Sequence, residues 1–163
     1  MIGNDVVDLQ LARKESNWQR KGFLDKIFTK NEQFLIQKSK NQELAIWNLW
    51  SRKEAAYKIW NRNTRIRKYN PIQFECLDLE LEIGKVQFKN LIFYTKTVFT
   101  DDFIHSISVS SFLEFDNVEV LNNSIKTIKQ NGIPFINNDN LEKKPISKSH
   151  HGQFEFVVGL RNS

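Results

Sequence analysis

Three residues spaced four apart, Trp50, Glu54 and Lys58, combine an aromatic ring, a carboxylate and an ammonium. They lie in Trp47–Trp60, a segment without Gly or Pro and rich in Leu, Lys, Glu and Ala, which favours a helix with the three side chains on one face. A carboxylate and an ammonium at this spacing usually form an ordinary ion pair on a solvated surface. Here the segment's three Trp residues indicate the edge of a core, where charges cost more free energy and are more often functional.

A second group of polar residues lies near the end of the chain, in the stretch Pro145–Gly159. Apolar residues flank His150, His151 and Gly152, and the glycine permits the tight turn of a strand–turn–strand unit. Adjacent histidines are more often loop residues than ligands. His105 lies in another apolar stretch, and we interpret it as structural.

The elements that must position these residues begin with a helical half. β-Branched residues predict a short strand over Ile2–Leu9, and helical segments follow over Leu9–Lys40. Thr29, with Glu32 three residues later, matches a capping box at the start of a helix. The central helix of the fold is predicted over Gln42–Asn61.

The second half is rich in strands. Pro71 ends the helical half, and apolar alternation predicts antiparallel strands over Phe74–Val109, with a turn at Gly84-Lys85. Val118–Gln130 is predicted as a strand running into a helix, and Asn137–Lys144 as an exposed polar loop. The expected fold class is α+β, with a small antiparallel sheet packed against helices.

Length and composition exclude several classes of protein. At 163 residues and 19.3 kDa the chain fits one domain, residues 1–163, large enough to bury a core. It has no run of about 18 apolar residues, so no transmembrane helix is expected. Met1–Asp5 lacks the basic and apolar regions of a secretion signal. The lone Cys76 excludes an internal disulfide, suits a reducing cytoplasm and is interpreted as a small core residue.

The net charge of +5 and the pI of about 9.3 fit either ordinary solubility or an acidic partner. Basic residues concentrate just after the central helix, at Arg62, Arg65, Arg67 and Lys68. They could serve nucleic acid, a phosphorylated cofactor or an acidic protein, and composition alone leaves these three open.

Three stretches resemble motifs of one family. Trp50–Lys58, with the sequence WSRKEAAYK, resembles the aromatic-x-x-Lys-Glu-Ala-x-x-Lys signature of the 4'-phosphopantetheinyl transferase superfamily. Gly3–Asp5 resembles its Gly-x-Asp opening, and Ser147–His150 its Ser-x-Ser-His element. Val7, two residues after that Asp, is aliphatic as in the small holo-acyl-carrier-protein synthases, whereas larger members carry an acidic residue there. His151 stands where the family usually has Ser, Thr or Asp, and we expect its side chain to point away from the site.

The resemblance implies transfer of 4'-phosphopantetheine from coenzyme A to a serine of an apo acyl carrier protein, with release of 3',5'-adenosine bisphosphate. It implies that Asp5 and Glu54 bind Mg²⁺, although an Asp beside a Gly is usually a turn or cap residue. It also implies that Glu54 and Lys58 are catalytic, and that Lys53, Lys58 and His150 bind coenzyme A. Whether Glu54 or a metal-bound hydroxide is the base is left open.

An acidic acyl carrier protein would give the basic excess a purpose, because complementary charge steers encounter. From charge alone we predict the docking surface at Arg13, Lys14, Arg20 and Lys21, on the helix after the first strand. The small members that the chain resembles assemble as homotrimers with coenzyme A between subunits, whereas the extra sequence around Val118–Lys144 leaves the assembly of this chain open. We expect the protein in the cytoplasm, and the sequence leaves open whether its carrier serves fatty acid, polyketide or pigment biosynthesis. No membrane and no nucleic acid partner is expected.

Two other functions compete with the transferase. A nucleic-acid-binding protein is supported by the pI and by basic residues interleaved with aromatic ones, as in Arg65–Tyr69, but it leaves Asp5 and Glu54 without a role. A catalytically silent relative would keep the fold as a binding module, and the retained carboxylates and Lys58 argue against it.

Overall fold

The structure, a computed structural model, describes residues 1–78, 82–122, 124–137 and 143–161. The four α-helices are α1 (Leu9–Glu15), α2 (Phe23–Ile27), α3 (Lys30–Lys38) and α4 (Gln42–Thr64). The ten strands are β1 (Ile2–Asp8), β2 (Glu75–Cys76), β3 (Ile83–Phe88), β4 (Leu91–Phe99), β5 (Phe103–Val109), β6 (Val118–Leu121), β7 (Ile128–Gln130), β8 (Ile133–Asn137), β9 (Lys143–His151) and β10 (Phe154–Leu160). Two 3₁₀ turns, Pro71–Gln73 and Phe112–Asn117, complete these elements.

The strands form two antiparallel sheets rather than one. The first has the order β1-β5-β4-β3-β2 and the second β6-β10-β9-β8-β7. In the first sheet, β1 pairs with β5 so that Asp5 lies opposite Ser106. In the second, β9 and β10 form a hairpin in which His151 lies opposite Phe154. The predicted α+β class is confirmed, with a second sheet added.

Helix α4 is the element on which both ends of the chain are packed. Its sequence has no Gly or Pro, the Asn41 side chain caps its first turn, and it ends where Arg65 adopts φ +62°. It packs against β1 and β5 of the first sheet. The predicted helix over Gln42–Asn61 is confirmed and runs three residues further, to Thr64.

The three short helices precede α4. Thr29 and Glu32 form the predicted capping box at the start of α3, since each side chain accepts from the other residue's backbone N–H. Helix α1 ends at Glu15, so Arg20 and Lys21 lie in the following turn and not on that helix as predicted.

Strand β1 connects the two sheets and lies very close to α4. A Cβ atom at Gly3 would lie 2.1 Å from the backbone oxygen of Ala55, so only glycine permits this approach. On its other side β1 packs against β9 and β10. The buried guanidinium of Arg62 donates to the carbonyl oxygens of Ile2 and Ile146, at 2.8 and 2.5 Å, and so ties β1 to β9. This packing brings the N-terminal strand, α4 and the C-terminal hairpin together.

The turn predicted at Gly84-Lys85 is wrong, because both residues lie inside β3. The reversal comes at Lys89, where φ is +55°, and Gly84 instead packs against the guanidinium of Arg52. Residues 79–81, part of the predicted alternating strand, lie outside the described residues.

The helix predicted within Val118–Gln130 is also wrong for the residues that the structure describes there. After β6, the Asn122 side chain accepts from the backbone N–H and hydroxyl of Ser124, and such local bonds compete with helix formation. Asn131 and Gly132, both with positive φ, then form the tight turn between β7 and β8. Residues 138–142 of the predicted loop Asn137–Lys144 lie outside the described residues.

Within the described part of the chain, no helix is long and apolar enough to cross a membrane.

Candidate active site

The Asp5 carboxylate lies where β1 crosses α4. Lys58, on α4, donates from Nζ to Asp5 Oδ1 at 3.1 Å and to the backbone oxygen of Asn4 at 2.6 Å. Both side chains are only partly exposed, with 16% of Asp5 and 28% of Lys58 accessible. Burial raises the pKa of the Asp5 carboxyl, and the charge of Lys58 opposes that rise. The predicted strand and helix residues therefore meet in space.

Glu54 lies one helical turn before Lys58 and faces the same region. Burial and the nearby charge of Asp5 raise its pKa to about 7, and Lys58 again opposes the change. Two carboxylates with raised pKa values sharing one ammonium form a site short of positive charge. Such a pair in a cleft is typical of a functional site.

These carboxylates open into a cavity of about 360 Å³, which we call the acidic cavity. Its polar lining residues are Asp5, Ser16, Glu54, His150 and His151. Its apolar lining residues are Val6, Val7, Ala12, Phe23, Ile27, Trp47 and Trp50. Residues from the first strand, the central helix and the last hairpin thus converge on a largely apolar pocket with a few charged groups, which is the usual composition of a ligand site.

The donor set in the acidic cavity fits Mg²⁺. No cluster of three or more His, Cys, Asp or Glu residues suited to a metal ion occurs among the described residues. Mg²⁺ commonly uses one or two carboxylates, with waters and substrate phosphates as its other ligands. Asp5 and Glu54 provide two carboxylates whose burial leaves them in need of a cation.

Lys53 does not join this group, and the prediction that it binds coenzyme A is corrected. Its side chain is fully buried on another face of α4, where Nζ donates to Glu32 Oε2 at 2.6 Å. It also donates to the carbonyl oxygens of Ile27 and Pro71, at 2.8 and 3.0 Å. An ammonium has three protons, and all three are engaged, so none is left for a phosphate.

The two adjacent histidines lie on opposite faces of β9, and their placement differs from the prediction. Ser147 and Ser149 are buried towards Asn4, whose backbone N–H and side-chain amide donate to their hydroxyls. His151 continues this inward face, while His150 lies on the other face and is exposed. Both line the acidic cavity, so the expectation that His151 points away from the site is wrong. The two-residue period from Ser147 was the sequence signal that could have identified it.

His105 supports the strand that carries Asp5. It is buried, stacks on Phe156 with ring centroids 4.1 Å apart, and lies with Nε2 3.1 Å from Asn4 Nδ2. Burial lowers its pKa to about 4, so it is neutral near pH 7. These contacts agree with the prediction that His105 is a structural residue. Asn4 is a functional neighbour that the sequence motifs do not predict. Its side-chain amide donates to Ser149 of β9, and its backbone oxygen accepts from the Lys58 ammonium.

The predicted basic residues divide into engaged and exposed groups. Arg62 is buried between the sheets, and Arg67 donates to the backbone oxygen of Asn131. Arg13 is exposed but forms a two-pronged pair with Glu43, with Nε 2.9 Å from Oε1. Lys14, Arg20 and Lys21 are exposed, and the last two come directly before the segment that lines the acidic cavity.

Comparison with known proteins gives one family. The model of the 4'-phosphopantetheinyl transferase superfamily matches residues 1–108, a range that includes Asp5, Glu54 and Lys58 but not the C-terminal hairpin. No curated protein sequence matches the chain significantly.

Comparison with solved structures finds three that are similar to this chain. The apo-ACPS and the ACPS–CoA complex of Chronobacterium ammoniagenes each have a TM-score of 0.53 and 16% identity, covering 66% of this chain and 93% of theirs. The holo-[acyl-carrier-protein] synthase of Thermotoga maritima has a TM-score of 0.47 and 16% identity, covering 79% of this chain and 76% of that one.

Proposed function

The chain belongs to the 4'-phosphopantetheinyl transferase superfamily, and on this premise we propose that it transfers 4'-phosphopantetheine from coenzyme A to a serine of an apo acyl carrier protein, with Mg²⁺ as cofactor. The observation that carries the proposal is that Asp5 and Glu54 line one cavity although β1 and α4 are far apart in sequence, and that Lys58 is hydrogen-bonded to Asp5. We take residues 1–163 as one catalytic domain, since β1 of the first sheet packs against β9 and β10 of the second.

The reaction needs positioned charge more than covalent chemistry. The serine oxygen forms a bond to the β-phosphorus of coenzyme A, and the bond from that phosphorus to the bridging oxygen breaks, releasing 3',5'-adenosine bisphosphate. Negative charge spreads over the phosphoryl oxygens as this happens. A bound Mg²⁺, held by Asp5 and Glu54, would supply neutralising positive charge. Two carboxylates beside a single ammonium would repel the pyrophosphate, and a bound cation would offset this repulsion.

Three side chains take part in this reaction, and their surroundings indicate the role of each. Lys58 bonds Asp5 and can also reach a phosphate from the same face of α4, one turn beyond Glu54. Glu54, which lines the cavity beside Asp5, would accept the serine proton, directly or through a water. His150, exposed at the cavity, is a donor to a phosphate of coenzyme A.

The largely apolar wall of the acidic cavity suits the uncharged part of the substrate. Trp47, Trp50, Phe23 and Ile27 line it beside the carboxylates. The pantetheine arm has methyl, amide and thiol groups, and an apolar wall would hold it while the pyrophosphate lies at the charged groups. The acidic carrier protein would approach over the exposed cations Lys14, Arg20 and Lys21.

The experiment mixes the purified protein with coenzyme A, Mg²⁺ and a panel of apo acyl carrier proteins, and weighs each carrier by intact mass spectrometry. We expect at least one carrier to gain the mass of one phosphopantetheinyl group, and a carrier whose acceptor serine is changed to alanine to gain none. Omission of Mg²⁺ with excess chelator is the matched control. Binding of coenzyme A without modification of any carrier would support a catalytically silent relative instead.

A further inference from the structure

His151 has its ring fixed by the backbone of the first strand. The backbone N–H of Asp8 donates to His151 Nδ1 at 2.8 Å. A ring nitrogen that accepts a hydrogen bond carries no proton, so in the neutral imidazole the proton is on Nε2. The fold therefore selects one tautomer of this histidine.

The turn that carries His151 is clamped onto the junction of β1 and α1. Asp8 Oδ1 caps α1 by accepting from Leu11 N at 2.9 Å, and Oδ2 accepts from Gln153 N at 3.3 Å. Gly152, with φ +57°, packs so closely that a Cβ there would lie 2.2 Å from Asp8 Oδ2. The residues on both sides of the Asp8–His151 bond are thus held in place, and the ring cannot turn without breaking this clamp.

His151 is also one of the residues that line the acidic cavity. It lies there together with Asp5 and Glu54. The nearest carboxylate to Nε2 is Glu15 Oε2 at 3.6 Å, beyond hydrogen-bond distance, and the Glu15 side chain is 59% exposed. The Nε2–H is therefore a positioned donor whose neighbouring acceptor, the exposed Glu15 carboxylate, lies beyond hydrogen-bond distance.

We propose that His151 is a further substrate-binding residue, which donates its Nε2–H to the pyrophosphate of coenzyme A. This inference rests on the proposed function. The pyrophosphate is the part of the substrate that the carboxylates and their cation must face, and His151 lines the same cavity. His151 is not a base here, because Nδ1 is occupied by the Asp8 N–H and Nε2 already carries the proton.

His150 provides the contrast within the same hairpin. It lines the same cavity, yet no side-chain hydrogen bond to another described residue orients it, and it is exposed. A side chain that must be ordered when the ligand binds loses rotamer entropy, whereas a fixed one does not. We therefore expect the fixed His151 to contribute more to affinity than the neighbour that matches the motif.

Two substitutions separate the donor from the clamp. His151→Asn keeps an acceptor for the Asp8 N–H near Nδ1 but removes the donor at Nε2, whereas His151→Gln keeps a donor near Nε2 and removes the acceptor. Calorimetry with coenzyme A and Mg²⁺ should show an affinity about 10- to 100-fold weaker for His151→Asn, the range of a hydrogen bond to a charged group. The loss should be smaller for His151→Gln, and thermal stability should rank the two variants in the opposite order.

His150→Asn is the matched control and should weaken binding less than His151→Asn. Dephospho-coenzyme A, which lacks the 3'-phosphate, should show the same loss with His151→Asn, since the contact is to the pyrophosphate. A loss that vanishes with that ligand, equal losses for the Asn and Gln variants, or a greater loss at His150 would each overturn the proposal.

The tautomer is tested without any ligand. Nitrogen-15 chemical shifts of the His151 ring in the free protein should show a protonated Nε2 and an unprotonated Nδ1, and the reverse would overturn the inference. If wild-type protein fails to bind coenzyme A, the proposed function fails. If wild type binds it and His151→Asn binds equally well, only the role of His151 fails.

Discussion

Lys53 and Lys58 lie five residues apart on α4, and each pairs with a carboxylate from another element in different surroundings. Lys53 and Glu32 are both fully buried, with Nζ and Oε2 2.6 Å apart. Lys58 and Asp5 are partly exposed, with Nζ and Oδ1 3.1 Å apart, beside a third charged group, Glu54. Five residues along a helix correspond to a rotation of about 140°, so the two lysines leave α4 in different directions.

The difference lies in what else each pair has to bond. The Lys53 ammonium has two carbonyl acceptors besides Glu32, and Glu32 also accepts from the backbone of Thr29 and Cys76. Every group there is satisfied inside the protein, which holds α3 on α4 and leaves nothing to offer a ligand. At the Asp5–Lys58 pair, by contrast, a second carboxylate, Glu54, lies beside a cavity without an ammonium of its own among the described residues. We call this pair incomplete, because a cation and a ligand in the cavity can supply the missing positive charge and hydrogen bonds.

The largest expected effect is loss of transfer when the incomplete pair loses a carboxylate. Asp5→Ala and Glu54→Gln should each lower the transfer rate by more than about 1,000-fold, because both cation binding and proton transfer depend on them. Intact mass of a carrier protein over time measures the rate, and circular dichroism checks that the fold is kept. Turnover within tenfold of wild type in either folded variant would remove the substituted residue from the active site.

The complete pair should respond through stability. Lys53→Met leaves the buried Glu32 carboxylate without its cation, and we expect a loss of about 3–5 kcal/mol in the free energy of unfolding. Lys58→Met, at the partly exposed pair, should cost at most about 1 kcal/mol. Urea denaturation of both variants measures the contrast.

A second variant tests the cause of that loss. Lys53→Met combined with Glu32→Gln removes the unpaired charge and keeps hydrogen bonding to Thr29, so it should recover a large part of the lost stability. Equal costs at Lys53 and Lys58, or no recovery in the double variant, would contradict the distinction between the two pairs.

The helices, caps and turns around the two pairs could be predicted from the sequence, whereas the neighbours that each side chain faces could not. The helix-forming composition of α4, the Thr29–Glu32 box and the hairpin at Gly152 depend on neighbouring residues, and all three are confirmed. Lys53 was misassigned because its partner Glu32 belongs to another helix, and which face of α4 meets that helix depends on packing at long range.

The remaining errors have the same origin. Gly84 resembles a turn residue, yet it lies in a strand beside Arg52, thirty-two residues earlier in the sequence. The motif assigns His150 to the site, and the alternation of side chains along a strand therefore predicts that His151 points away from it. In the structure His151 shares the inward face of β9 with Ser147 and Ser149, and its bond to Asp8 fixes it there. The positions of Asp5 and Glu54 came from a resemblance, and only the folded chain brings them to one cavity.

A smaller effect concerns the acid–base behaviour of the incomplete pair. Burial and Asp5 raise the pKa of Glu54 from 4.5 to about 7 in the folded protein, so its ionisation disfavours the fold. A carboxyl whose pKa is raised in the folded protein stabilises the fold only while it is protonated. The free energy of unfolding is therefore highest at low pH and falls as the pH rises through 7. Without metal, Glu54→Gln should therefore be about 1–3 kcal/mol more stable than wild type at pH 8, with no gain at pH 4.5.

Chemical denaturation with excess chelator at several pH values measures this difference. Added Mg²⁺ should then stabilise wild type at pH 8 and leave Glu54→Gln largely unchanged, because binding of the cation needs the ionised carboxylate. If the free energies of unfolding of wild type and Glu54→Gln change in parallel from pH 4.5 to 8, the pKa of Glu54 is not raised in the folded protein.

The smallest expected effect tests whether pairing also separates structural from functional charges at the surface. Arg13 is bound to Glu43, whereas its neighbour Lys14 is exposed and has no such partner among the described residues. An acidic carrier protein should be steered by unpaired cations, so Lys14→Glu with Lys21→Glu should lower the transfer rate at low carrier concentration several-fold in low salt and flatten its salt dependence. Arg13→Gln should change the rate little, since the charge that it removes is already largely neutralised by Glu43. Rates at several salt concentrations with saturating coenzyme A make the comparison. A rate that is independent of salt in wild type, or a greater loss at Arg13 than at Lys14 and Lys21, would show that pairing does not separate structural from functional charges outside the cavity.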